Sequence, residues 1–308
     1  MRSLDNAIET RAITTRPLAQ RALPEGLLLG GLGVLGFSFS LPATRLAVAG
    51  LDPWFVAFGR ATVAGLLALA YLRAVRAPRP TRAQGRSLAI VALGVVVGFP
   101  LCTSLALQSE TAAHGAVVIA ILPAATAVAA VARAGERPSR SFWLAGGAGL
   151  LAELVFVALA SGGSVGGLRG ADALLVGAVW LCGLGYAEGG AVSRELGGAR
   201  TICWALVLSL PATTAVSAVA AATSGVHAGP TAWLGFAYIS VVSMFLGFFA
   251  WYAGLARGGV ARIGQVQLAQ PVLTLGWSAL ILGESVGPWT LLTALAVLAS
   301  VAATQRAR

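Results

Sequence analysis

Arg60, Glu153 and Glu188 stand inside long apolar runs, where an ionisable side chain is costly to hold and marks a function by default. Arg60 and Glu153 each lie about seven residues from the outer end of their run, about 10 Å deep at 1.5 Å per residue. Their matched depth predicts an intramembrane ion pair. Glu188 lies near the inner end of its run and is the candidate for proton coupling, because a partly desolvated carboxylate can titrate near neutral pH. The competing reading has it reach the cytoplasmic interface beside Arg194.

The surrounding sequence is that of a membrane protein. Of 308 residues 57% are hydrophobic and 10% charged, and mean hydropathy is +0.84. That is too little charge to cover a soluble surface. Continuously apolar stretches point to helices rather than alternating barrel strands. Spans are expected at 26–48, 54–72, 87–107, 114–132, 142–160, 172–192, 202–222, 231–253, 260–282 and 288–304. The fold class is therefore an all-α membrane protein of ten transmembrane helices, arranged as two inverted five-helix repeats. A tail over 1–25 precedes repeats at 26–160 and 172–304.

A net charge of +10 would suggest nucleic acid in a soluble chain. Here every basic residue is Arg and the arginines fall in short loops, where they orient helices. With the N-terminus inside, all but three of the 21 arginines lie on the inner side; Arg45 and Arg169 fall outside and Arg60 within a span. Both termini are thus expected in the cytoplasm of a cell carrying the protein in its inner membrane. The N-terminal tail has no apolar core, so a cleavable signal is not expected there. Cys102, Cys182 and Cys203 lie in apolar stretches without metal or redox spacing, and read as small buried hydrophobes.

An internal repeat organises the chain. Leu122-Pro123 is followed by Gly135-Glu136, and Gln270-Pro271 by Gly283-Glu284, at an offset of 148 residues. Five spans per half make the second half enter from the opposite side, so that Glu136 ends its span inside and Glu284 ends its span outside. Inverted halves are a transporter architecture with the site between them near the midplane. Pro123 and Pro271 are expected in mid-helix, as kinks that expose carbonyls and supply hinges. The two Gly-Glu pairs are expected to cap helix ends.

This twice-used Pro-x12-Glu signature resembles the EamA-type family of the drug/metabolite transporter superfamily. The resemblance covers essentially the whole chain. Asp52-Pro53 leading to Arg60 is similar to the family's Pro-then-Arg pattern, and Trp251-Tyr252-Ala253-Gly254-Leu255 to its span-8 ending. Ala134-Gly135-Glu136 departs from it, since the family more often has Leu before Gly-Glu. The resemblance implies a ten-helix metabolite carrier working without ATP, with helices 1, 3, 4, 6, 8 and 9 around a central cavity. On those helices the substrate-binding candidates are Ser38 and Ser40; Trp180 and Tyr186; Trp251 and Tyr252; and Gln265, Gln267 and Gln270. Aromatic walls with a few hydrogen-bonding groups suit amphipathic solutes such as amino acids or cationic drugs. The competing roles are interfacial anchoring for Trp251 and Tyr252 and helix–helix bonding for the glutamines.

Other motifs carry no chemistry. Gly31-Leu32-Gly33-Val34-Leu35-Gly36 fits dinucleotide-loop spacing but lies in a membrane helix. Gly26 and Gly30, like Gly94 and Gly98, have the spacing of close helix packing. A chain without Lys has no Walker A loop. No cofactor, metal or nucleic acid is expected; the partners are a small-molecule substrate, the lipid bilayer and a coupling proton, in a monomer or homodimer. The expected function is secondary active transport of small organic metabolites, with export the preferred direction. The alternatives are a membrane enzyme on lipid-linked substrates, for which no nucleophile–base set is present, and a non-transporting assembly or sensor subunit.

Overall fold

The computed structural model describes residues 18–110, 115, 118–160, 170–282 and 288–306. Among these, every regular element is helical. Six stretches are long and apolar enough to cross a membrane: Leu23–Val48, Pro53–Ala74, Arg82–Ser109, Gly170–Leu196, Gly198–Ser224 and Pro230–Gly258. The first comprises α1 (Leu18–Phe37) and α2 (Ser40–Val48), and the second is α3 (Pro53–Ala74). The third runs through α4 (Arg82–Val91), a π-helical segment Ala92–Gly98 and α5 (Phe99–Ser109). Next come α6 (Leu122–Arg133), α7 (Arg140–Ala160), α8 (Gly170–Leu196) and α9 (Gly198–Ser224). The chain continues through α10 (Pro230–Tyr238), a second π-helical segment Ile239–Leu246, and α11 (Gly247–Gly258). It closes with α12 (Val260–Gly264), a 3₁₀ segment Gln265–Ala269, α13 (Gln270–Leu282) and α14 (Pro288–Arg306).

Local sequence sets these limits. Asp52 caps α3, its carboxylate accepting from the N–H groups of Trp54 (2.9 Å) and Phe55 (3.0 Å), while Pro53 fills the first turn without losing a bond. Thr81 and Gln84 form a reciprocal capping box on α4. Gly135 leaves α6 at φ +67° and Gly259 separates α11 from α12 at φ +88°, conformations costly for a side chain with a Cβ.

The repeat governs packing as well as sequence. An offset of 148 residues carries α3 onto α9, α6 onto α13 and α7 onto α14. It also carries the π-helical segment Ala92–Gly98 onto 240–246, within the second one. Several of the larger contacts obey the same exchange: α1 lies on α11 as α5 lies on α8, while α3 pairs with α9 and α7 with α14. One hydrophobic cluster consequently crosses between the halves, from Val34 and Phe37 through Leu122 and Tyr186 to Trp251. Large apolar side chains such as Leu144 (76% exposed) and Leu234 (72%) point outward, where lipid and not water is the solvent.

The α1–α11 seam is a backbone contact. A Cβ on Gly26 would lie 2.8 Å from the nitrogen of Gly258, and one on Gly254 would lie 2.6 Å from that of Gly30. The expected small-residue packing of Gly26 and Gly30 thus meets a second Gly-x3-Gly pair from the other half.

Pro123 and Pro271 do not kink continuous helices. Each is the second residue of a restarted helix, α6 after a turn at Ala120–Ile121 and α13 after the 3₁₀ segment. A proline there needs no N–H partner, so interruption replaces a bend. The carbonyl of Pro123 accepts from Gln265 Nε2 at 3.2 Å, which joins the two interrupted helices across the halves.

Candidate transport cavity and its closed end

A small cavity lies between the halves, about 40 Å³ in volume. It has room for a few waters. Ser40 and Thr44 of α2, Arg60 of α3, Cys182 and Tyr186 of α8, and Gln267 and Gln270 line it. Phe37, Met244 and Phe248 form much of the apolar wall. Ser40 Oγ donates to Ser243 Oγ at 2.8 Å, binding α2 to the second π-helical segment within the lining. Gln267 Nε2 donates to the Tyr186 hydroxyl at 3.4 Å.

Of the nine sequence candidates for substrate contact, four are in this lining: Ser40, Tyr186, Gln267 and Gln270. The others lie elsewhere. Ser38 is buried, donating to Leu35 O and accepting from Trp277 Nε1 at 2.9 Å. Trp180 is 49% exposed on the outer face of α8. Two residues from Cys182 it is turned about 200° around the helix, away from the cavity. Trp251 and Tyr252 are fully buried behind the wall, which excludes the interfacial role as well. Trp251 packs on Phe37 and Tyr186, and the Tyr252 hydroxyl donates to Gly185 O at 3.2 Å. Gln265 is occupied by Pro123 O.

Arg60 is 4% exposed, and among the described residues it makes no ion pair or hydrogen bond; its Nε is buried without an acceptor. The side chain of Glu153, its expected partner, lies outside the described residues, and α7, which carries it, packs mainly on α14. Sequence reasoning identified Arg60 as intramembrane but not as cavity lining. The two π-helical segments were also missed; they bring Val95 and Ser243 into the lining, and no residue in either run signals a wider turn.

Charged groups join the two halves at one end of the molecule. Arg133 Nε donates to Glu188 Oε1 at 2.6 Å, so the partner of Glu188 is Arg133 of the first half and not Arg194. Arg194 Nη2 instead donates to Glu136 Oε1 at 3.0 Å. The Glu136 carboxylate also accepts from the N–H groups of Val260 (2.7 Å) and Ala261 (2.8 Å), capping α12 from the opposite half. Arg257 and Glu25, 3.9 Å apart and well exposed, add little. Gly283 and Glu284, the second copy of the Gly-Glu signature, lie outside the described residues.

The EamA-like transporter family model matches residues 24–158 and again 170–305. The chain belongs to the EamA-like transporter family. Membership places it in the drug/metabolite transporter superfamily, and makes it a multi-pass membrane transporter rather than an enzyme. It is 47% identical over 284 residues to the uncharacterized transporter YdeK of Bacillus subtilis strain 168, covering 91% of this chain and 97% of that relative. A protein of known crystal structure has the same fold, with TM-score 0.71 and 18% identity over 91% of this chain and 97% of its own. The family implies a small-molecule substrate and a lipid surround.

Proposed function

We propose that this member is a secondary active transporter of small organic metabolites, with export the preferred direction, working by alternating access between two inverted halves. The supporting observation is the cavity enclosed between the halves, which joins Arg60, Tyr186 and two glutamines from elements of both. The arginine distribution supports an inner-membrane orientation with both termini and the Glu136 end cytoplasmic. On that orientation the four remaining apolar helical stretches complete ten crossings, and the inner end is the one held shut by Arg133–Glu188 and Arg194–Glu136. Glu188 is the candidate through which a proton acts, since neutralising it removes the partner of Arg133.

Counterflow in proteoliposomes tests the reading. Vesicles preloaded with a metabolite panel are expected to accumulate labelled solute transiently, and a pH gradient is expected to change the rate. Absence of counterflow for every solute, in a monodisperse preparation, contradicts transport.

A further inference from the structure

Resting on the transport reading, we infer that Arg60 is the substrate-recognition residue of the central cavity, and that the solute it takes is a compact carboxylate with an apolar tail. An arginine cannot shed its charge, and one that is 4% exposed and, among the described residues, has no anionic partner is held at a cost that a bound anion removes. Its planar fork matches a carboxylate in two parallel hydrogen bonds. Among the described residues no Asp or Glu lines the cavity, which fits an anion that arrives with the solute. A permanent cation would meet Arg60 unshielded, which excludes the cationic drug class suggested by the aromatic residues alone.

The repeat shows where the rest of the solute goes. The offset of 148 residues superimposes Val95 on Ser243, Ile119 on Gln267 and Leu122 on Gln270, and all six line the cavity. Equivalent positions in the two halves are therefore apolar in the first and polar in the second. Gln267 Oε1 and Gln270 Oε1 are both buried without a donor. The cavity thus offers a cation for a carboxylate, free carbonyls for an N–H or ammonium donor, and an apolar wall for an aliphatic tail. A small aliphatic α-amino acid presents all three features; the matching 2-oxo acid keeps the carboxylate and tail but loses the donor.

The probes are L-leucine, 4-methyl-2-oxopentanoate, L-leucinamide and isoamylamine, with tetraphenylphosphonium as the permanent cation. Each is tested for thermal stabilisation of the purified full-length protein and for counterflow in proteoliposomes. L-leucine is expected to stabilise and move best and the 2-oxo acid less well, while the two carboxylate-free analogues and tetraphenylphosphonium are inactive. Arg60→Gln is expected to weaken L-leucine binding on the order of tenfold to a hundredfold, with Arg60→Lys in between. The wild-type comparison of L-leucine with its amide needs no variant, so a poorly folding Arg60→Gln does not protect the inference. Movement of the amine or tetraphenylphosphonium in preference to L-leucine overturns it while leaving transport standing, as does full L-leucine transport by Arg60→Gln. Failure of all five probes, with other metabolites moving in the broader panel, also overturns it. No movement of any solute removes the transport reading and this inference together.

Discussion

Glu136→Ala is expected to unlock the Arg-rich end of the molecule. The carboxylate accepts from two backbone N–H groups of α12 and from Arg194, so one truncation removes three charge-assisted contacts between the halves. Contacts of this kind are worth about 2–4 kcal/mol together once screening of the half-exposed Arg194 is allowed for, or thirty-fold to several-hundred-fold in the closed-to-open ratio. The amides of Val260 and Ala261 then lose their acceptor. Hydrogen exchange of a peptide spanning Gly258–Gly264 is expected to accelerate by a comparable factor in Glu136→Ala. Unchanged exchange would show that Glu136 does not hold this end shut.

Gly254→Leu should have a larger effect, on folding itself. A Cβ at position 254 would stand 2.6 Å from the nitrogen of Gly30 and 2.9 Å from the carbonyl oxygen of Gly26. Both obstacles are backbone, so no rotamer change relieves them and the α1–α11 seam must part. Overpacking costs about 1–3 kcal/mol where side chains can yield, and more is expected where only backbone can. Chromatography in detergent should show Gly254→Leu aggregated or poorly recovered. Gly177→Leu, where a Cβ meets nothing within 4 Å, should behave like the parent. Equal recovery of the two variants would mean that the seam tolerates separation.

The legible features were those that interrupt an apolar background. Pro123, Pro271 and the Gly-Glu pairs revealed the repeat because few residue types end a helix in lipid, and Arg60 stood out because charge is rare there. Facing direction was harder to read. A membrane helix is apolar on both its lipid and its packed sides, so nothing in α8 distinguished Trp180 on the outside from Tyr186 in the lining. Tyr186 is told apart only by Trp251, Tyr252 and Gln267, which approach it from later elements of the same half. The pairing of Glu188 was hidden for the same reason: Arg194 is six residues away in sequence, but Arg133 arrives from the end of α6.

Cys182 provides the most direct test of a cavity that opens alternately to the two sides, because it lines the cavity and is otherwise buried. In a background with Cys102→Ser and Cys203→Ser, a membrane-impermeant maleimide is applied to either face of oriented vesicles. Cys182 in that background is expected to react slowly from the Glu136 face. Adding Glu136→Ala should raise that rate at least about tenfold and lower the rate from the opposite face, because a cavity open to one side is closed to the other. Labelling that is equal from both faces and indifferent to Glu136→Ala, in protein that still transports, would contradict alternating access through this cavity.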